Sequence, residues 1–242
     1  MHLQEAEFLY ETSVVPDVEY TFKHALTHEI AYASVLAYLK TVRGQLSQAA
    51  HLLERAVALC REWNITNHTP IIMAALGHVW AWSGRIEEGV AYLEQALRAY
   101  DDEGIGVHHA LSGQQLGEAH LLADEVENAR ACADRAVTLA RGRGERGHEA
   151  WALRLLGEVA SHHVHPDVAT AAAHYGAAMT LASELEMRPL MAHCHLGLGR
   201  LYRRMANREQ AHQHLTTARA MYSERGMTYW QAQAETAMKP SA

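Results

Sequence analysis

The dipeptide Leu-Gly occurs at Leu76-Gly77, Leu116-Gly117 and Leu156-Gly157 in steps of 40 residues, and again at Leu198-Gly199 after 42. A fixed period of this length means that one supersecondary unit is copied along the chain, each copy burying its apolar face against its neighbours rather than in one central core. A second register downstream of each dipeptide agrees: Gly89/Leu93/Ala96, Ala129/Ala133/Ala136, Ala171/Tyr175/Ala178 and Ala211/Leu215/Ala218, with Ala49/Leu53/Ala56 marking an earlier copy. Five copies are therefore expected. In each, an apolar stripe at three-and-four spacing, a turn (Gly44, Gly84, Asp124, His165-Pro166, Asn207) and a second stripe describe two antiparallel helices. Ala49, Gly89, Ala129, Ala171 and Ala211 stand where a larger side chain would push paired helices beyond a separation of about 8–10 Å. Residues 64–69, 101–106, 141–147 and 184–189 read as connectors between copies, and 227–238 as an amphipathic cap.

Bulk properties remove several function classes. A net charge of -7, from 21 Lys plus Arg against 28 Asp plus Glu, offers no footprint for a phosphate backbone, so no nucleic-acid partner is expected. Cys60, Cys132 and Cys194 are too few and too widely spaced for a disulfide framework or a zinc knuckle. The first eleven residues carry Glu5, Glu7 and Glu11 where a secretory signal would be basic, and no apolar run reaches the roughly 18 residues of a membrane span. A cytoplasmic protein without a membrane partner is the expectation.

Leu-Gly, an aromatic or long residue four positions on, a turn, then Ala-x3-Leu-x2-Ala: this spacing resembles the tetratricopeptide repeat family in a longer form, near 40 residues per copy, over roughly 30–225. The resemblance implies an all-α fold, a right-handed α-solenoid of about five helical hairpins with a C-terminal capping helix, whose first helices line a concave groove. The expected organisation is an N-terminal segment 1–23, repeats at about 24–64, 65–104, 105–144, 145–187 and 188–226, and a capping helix and tail at 227–242.

Three stretches carry a narrower resemblance: 19–32 (EYTFKHALTHEIAY), 145–158 (ERGHEAWALRLLGE) and 193–204 (HCHLGLGRLYRR). They are similar to the tail of bacterial signalling proteins in which a class III adenylate/guanylate cyclase is followed by an AAA-like, STAND-type ATPase and helical repeats. In those proteins Phe-x-His-x-Leu closes the ATPase module, well before the repeats. Here the segment from His24 to Leu39 runs straight into the first repeat, as in a shortened relative or a fragment. The sequence has no G-x4-G-K-[ST] and no paired metal-binding aspartates in a strand context, so neither parent activity carries over.

Other motifs read as structure. The G-x-G-x-x-G of residues 142–147 follows a helix, not a strand, and reads as an inter-repeat turn. Of the histidine pairs, only His24 and His28 have helical ligand spacing, with no third ligand nearby. The others are His162/His163/His165, His193/His195 and His212/His214. His193 and His195 diverge around a helix. No metal or other cofactor is expected, and Asp101, Asp102 and Glu103 read as solvated connector charge.

The resemblance places on the groove His78 and Trp82 from the second copy and Gln114, Glu118 and Leu121 from the third. The fourth gives Trp151, Arg154, Glu158 and His162, and the fifth His193, Arg200, Arg203 and Arg204. Charge on this face is polarised, and Arg154 with the three last arginines would suit an acidic peptide or terminal carboxylate, with the tryptophans as anchors. A solvated helix face is the bland alternative. The expected function is a non-enzymatic scaffold for a protein or peptide, an acidic one by its arginines, as the regulatory arm of a cyclase/ATPase signalling protein. A small-molecule sensor and a metal-dependent hydrolase are the competing readings. An apolar end left by a truncated solenoid would give a homodimer.

Overall fold

A computed structural model describes residues 17–66, 68–103, 108–162 and 165–239, with side chains from residue 28 onward except that of Glu103. The segment 1–16, the His24 imidazole and His163 lie outside the described residues. Eleven helices and no strand occur among the described residues: α1 Asp17–Val42, α2 Leu46–Glu62, α3 Thr69–Trp82, α4 Ile86–Glu103, α5 His109–Leu122, α6 Val126–Arg143, α7 Arg146–His162, α8 Val168–Glu184, α9 Arg188–Arg204, α10 Arg208–Ser223 and α11 Thr228–Met238. They form five antiparallel hairpins, α1/α2 to α9/α10, closed by α11. This is the all-α solenoid that the repeat predicts. None of the helices among the described residues is long and apolar enough to cross a membrane.

The two sequence registers are the two sides of one contact. A Cβ at Gly77 would lie 2.9 Å from the Gly89 carbonyl oxygen, and one at Gly89 2.7 Å from the Ala81 nitrogen. Likewise, a Cβ at Gly117 would meet the Ala129 carbonyl at 3.2 Å, one at Gly157 the Tyr175 ring at 3.0 Å, and one at Gly199 the Leu215 side chain at 2.6 Å. Ala49, Ala129 and Ala171 are completely buried, so each hairpin closes through a patch too narrow for more than a methyl group. The core around these patches is mostly Ala and Leu, with Tyr100, Tyr175 and Tyr222 as its largest members.

The turns repeat one device. Gly44, Gly84, Asp124 and Ala206 within hairpins, and Asn64, Gly144, Glu186 and Gly226 between them, all have positive φ. In each case the next residue's N–H bonds the carbonyl five positions back, as in Gln45 to Lys40 at 2.8 Å and Met187 to Ala182 at 2.7 Å. That is the six-to-one bond that satisfies orphan helix-end carbonyls. In two hairpins the second helix is also capped: Asp167 accepts from the Thr170 N–H at 3.0 Å and Asn207 from the Gln210 N–H at 3.2 Å.

The connectors are shorter than the sequence suggests. Asp101, Asp102 and Glu103 form the last turn of α4, and 141–143 and 146–147 belong to α6 and α7. Polar residues on the solvated face of a helix end look like loop in sequence. The G-x-G-x-x-G is thus a helix end, a left-handed Gly144 and a helix start.

Gly89→Ala is expected to lower stability by roughly 1–3 kcal/mol through backbone overlap. Gly113→Ala, in α5 with open space around it, is expected to raise it by up to about 1 kcal/mol through helix propensity. Urea unfolding of the two variants checks both signs.

Candidate recognition groove

Stacking places the first helix of each hairpin on one inner wall, and equivalent positions of successive copies line up along it. The residue after each Leu-Gly is His78 on α3, Glu118 on α5, Glu158 on α7 and Arg200 on α9. His78 Nε2 lies 2.5 Å from Glu118 Oε2. Arg154, one turn before Glu158, forms ion pairs with both Glu118 and Glu158, tying α5 to α7. Arg154 and Glu118 are only 4% and 5% exposed, so this is a buried pair, costly to break from one side. Its guanidinium also lies 5.2 Å from the Trp151 ring. Arg154 Nε and the neighbouring buried amide Gln114 Nε2 have no hydrogen-bond partner among the described residues.

These charges set the protonation of the histidines. Arg154 neutralises Glu118, and burial followed by the Arg154 guanidinium lowers the His78 pKa to about 3. The same two causes, with Arg200 added, hold His193 well below its usual range. Burial drives the Tyr222 phenol upward, so it stays protonated, hydrogen-bonded to neutral His193 Nδ1 at 2.9 Å.

Above this floor lies a cavity of about 460 Å³. Of the thirteen groove residues expected from sequence, ten line it: Trp82, Glu118, Leu121, Trp151, Arg154, Glu158, His162, His193, Arg200 and Arg204. The other three sit elsewhere. His78 and Gln114 are buried and outside the lining, and Arg203 is exposed and turned to α11, donating to the carbonyls of Ala237 at 2.5 Å and Lys239 at 3.2 Å. His162 is held by Asp124 at 2.7 Å, and Arg204 donates to the Ser161 carbonyl.

Sequence reasoning missed two contributions. Tyr175 belongs to the outer helix α8 yet lines the cavity, because Gly157 and Gly197 leave a passage between α7 and α9 that a Cβ on either would obstruct. The extra glycine of Gly197-Leu198-Gly199, unique to the last copy, was the available signal. The second is α11, which supplies Tyr229, Trp230 and Gln233. The Trp230 ring stands edge-on to Trp82 at 5.0 Å and to His193 at 4.6 Å. Its Nε1–H donates to the Val42 carbonyl, 188 residues away in sequence, at 3.0 Å. Tyr229 packs on Gly44, leaving no room there for a Cβ, and Arg200 donates to Gln233 Oε1 at 3.1 Å.

His193 and His195 diverge as their spacing implied. His193 faces the cavity, whereas His195 faces His214 on α10, Nδ1 to Nδ1 at 2.8 Å. No group of three or more His, Cys, Asp or Glu able to hold a metal occurs among the described residues.

No family model matches this sequence, and no curated protein matches it. Solved structures do match in fold. A Rap protein complexed with Competence and Sporulation Factor superposes with a TM-score of 0.65 at 13% identity, over 96% of this chain and 70% of that one. The STAND protein with a tetratricopeptide repeat sensor from Pyrococcus horikoshii gives 0.58 at 15% identity, over 85% of this chain and 32% of that one. BtubC from P. vanneervenii gives 0.57 at 18% identity, over 83% and 89%. The chain has a tetratricopeptide-type fold.

Two outcomes are expected of the floor. Below pH 6.5 the unfolded chain takes up protons at His78 and His193 that the folded chain refuses, so stability falls as pH drops. Between pH 6 and 5 His78 contributes a loss of about 1 kcal/mol, His193 adds to it in the same direction, and His78→Gln should remove the His78 share, read from urea midpoints. Glu118→Ala, which strands Arg154 opposite its lost partner, is expected to cost about 3–5 kcal/mol at pH 7.

Proposed function

We propose that the chain is a non-enzymatic recognition module that holds an acidic protein segment or peptide in the groove of its first helices. The observation that carries this reading is the convergence of tryptophans and arginines on one cavity. Trp82, Trp151, Arg154, Arg200 and Arg204 come from three hairpins and meet around it. Trp and Arg are the residues that most often anchor interfaces, and a guanidinium suits a carboxylate in two-pronged geometry. Arg154 is committed to Glu118 and Glu158, whereas Arg200 on α9 donates to the neutral amide oxygen of Gln233. The recognition cation is therefore assigned to Arg200, at the α9 end. A similar fold complexed with a factor is in keeping with such a role.

The segments 19–32, 145–158 and 193–204 further assign the module to the regulatory arm of a cyclase/ATPase signalling protein, and a STAND protein with a repeat sensor shares the fold. Self-association is assigned to α1, which exposes Tyr32, Val35, Tyr38 and Leu39; sedimentation across a concentration series tests it. The small-molecule reading retains one supporting observation, that about 460 Å³ lies within the range of small-ligand sites. Melting shifts against a panel of organic anions separate it from peptide binding.

The main test is fluorescence anisotropy with an array of acidic peptides about ten residues long bearing free C-termini. Binders should weaken at least about tenfold in Arg200→Glu and with added salt. An array without a binder, or binding indifferent to both changes, ends the proposal.

A further inference from the structure

Helix α11 does more than cover the last hairpin. Eleven residues long, it buries only Ala234 and Ala237 along its length, and a helix this short is marginal without tertiary support. It leaves α10 through Gly226 at φ 62° and is rooted by the buried Met227. Its other attachments are of the type the groove is built to make. Trp230 is seated edge-on between Trp82 and His193 and bonds the Val42 carbonyl. Gln233 takes the Arg200 guanidinium, and the free carbonyls at the C-terminal end of α11, Ala237 and Lys239, take Arg203. A cation at a helix C-terminus is favourably placed against both the orphan carbonyls and the helix dipole. An aromatic in the tryptophan seat and polar oxygens on the α9 arginines, Arg200 in the cavity lining and Arg203 beside it, is close in chemistry to the pattern assigned above to a partner.

We infer that α11 is a built-in occupant of the groove, holding the place of a partner protein segment of the same chemistry: an aromatic side chain about two helical turns ahead of a carbonyl- or carboxylate-bearing C-terminal end. Such a partner gains the seat by displacing α11, and its apparent affinity is lowered by the fraction of chains in which α11 is docked. Trp82, Arg200 and Arg203 are the receptor side of the contact, and Trp230 and the α11 C-terminus are its internal ligand.

The inference rests on the groove being the recognition surface, but its test uses the chain's own segment, so its failure is distinct from failure of the acidic-peptide array. A fluorescent peptide of residues 227–239 is titrated into the full-length chain, into Trp230→Ala, whose own α11 is loosened, and into Trp230→Ala combined with Arg203→Ala. The peptide should bind Trp230→Ala at least about tenfold more tightly than the unchanged chain, and the double variant should lose that gain. Hydrogen exchange in Trp230→Ala should accelerate at 228–238 while α5 to α8 keep their protection, which also shows that the variant is folded. Equal binding to all three chains, absence of binding to Trp230→Ala, or acceleration only in step with the whole molecule would overturn it.

Discussion

The structure depends on how closely two helices approach within each hairpin. Where Gly77 faces Gly89, and Gly117 faces Ala129, backbone atoms themselves fill the interface. That approach fixes the geometry of each hairpin, and because the same patch recurs every 40 residues, it fixes how one hairpin stacks on the next. The inner wall is a by-product of this regularity. His78, Glu118, Glu158 and Arg200 are aligned because each is the residue following the packing glycine. A repeat therefore writes a row of side chains onto one surface, and substitutions at a single register position decide that surface's chemistry.

Within this row, the charges serve two purposes that sequence alone does not separate. Glu118, Arg154 and Glu158 form a network of ion pairs that joins adjacent repeats, costly to break from one side. Arg200 and Arg204 stand at the exposed end of the same row. The neutral histidines follow from the same arrangement, since a positive Arg154 in a site withdrawn from water disfavours further positive charge.

How much could be read from the sequence follows from which forces are local. Helix pairs, their turns and their small-residue contacts are local and periodic, so Gly44, Gly84, Asp124 and Asn207 were legible as turn positions before any coordinates, and so was the first-helix wall. His78 and Gln114 were assigned to the groove surface but are buried outside the cavity lining, because helical periodicity gives a direction and not a depth. Asp101 and Asp102 looked like a connector because solvated helix ends and loops share a composition. Tyr175 reaches the wall through a gap made by two glycines on other helices, and Trp230 meets a carbonyl in the first hairpin. Both depend on distant parts of the chain, where a repeat pattern carries no information.

The bond from Trp230 to Val42 changes the kind of object the array is. Repeats that touch only their neighbours make a spring, which stretches, frays from its ends and melts piecemeal. A chain whose last helix grips its first hairpin has its ends tied, so loss of an outer repeat must also break a contact spanning nearly its whole length. Such a molecule trades elastic freedom for coupling between its ends, and freeing α11 from Val42 and Gly44 would undo that coupling.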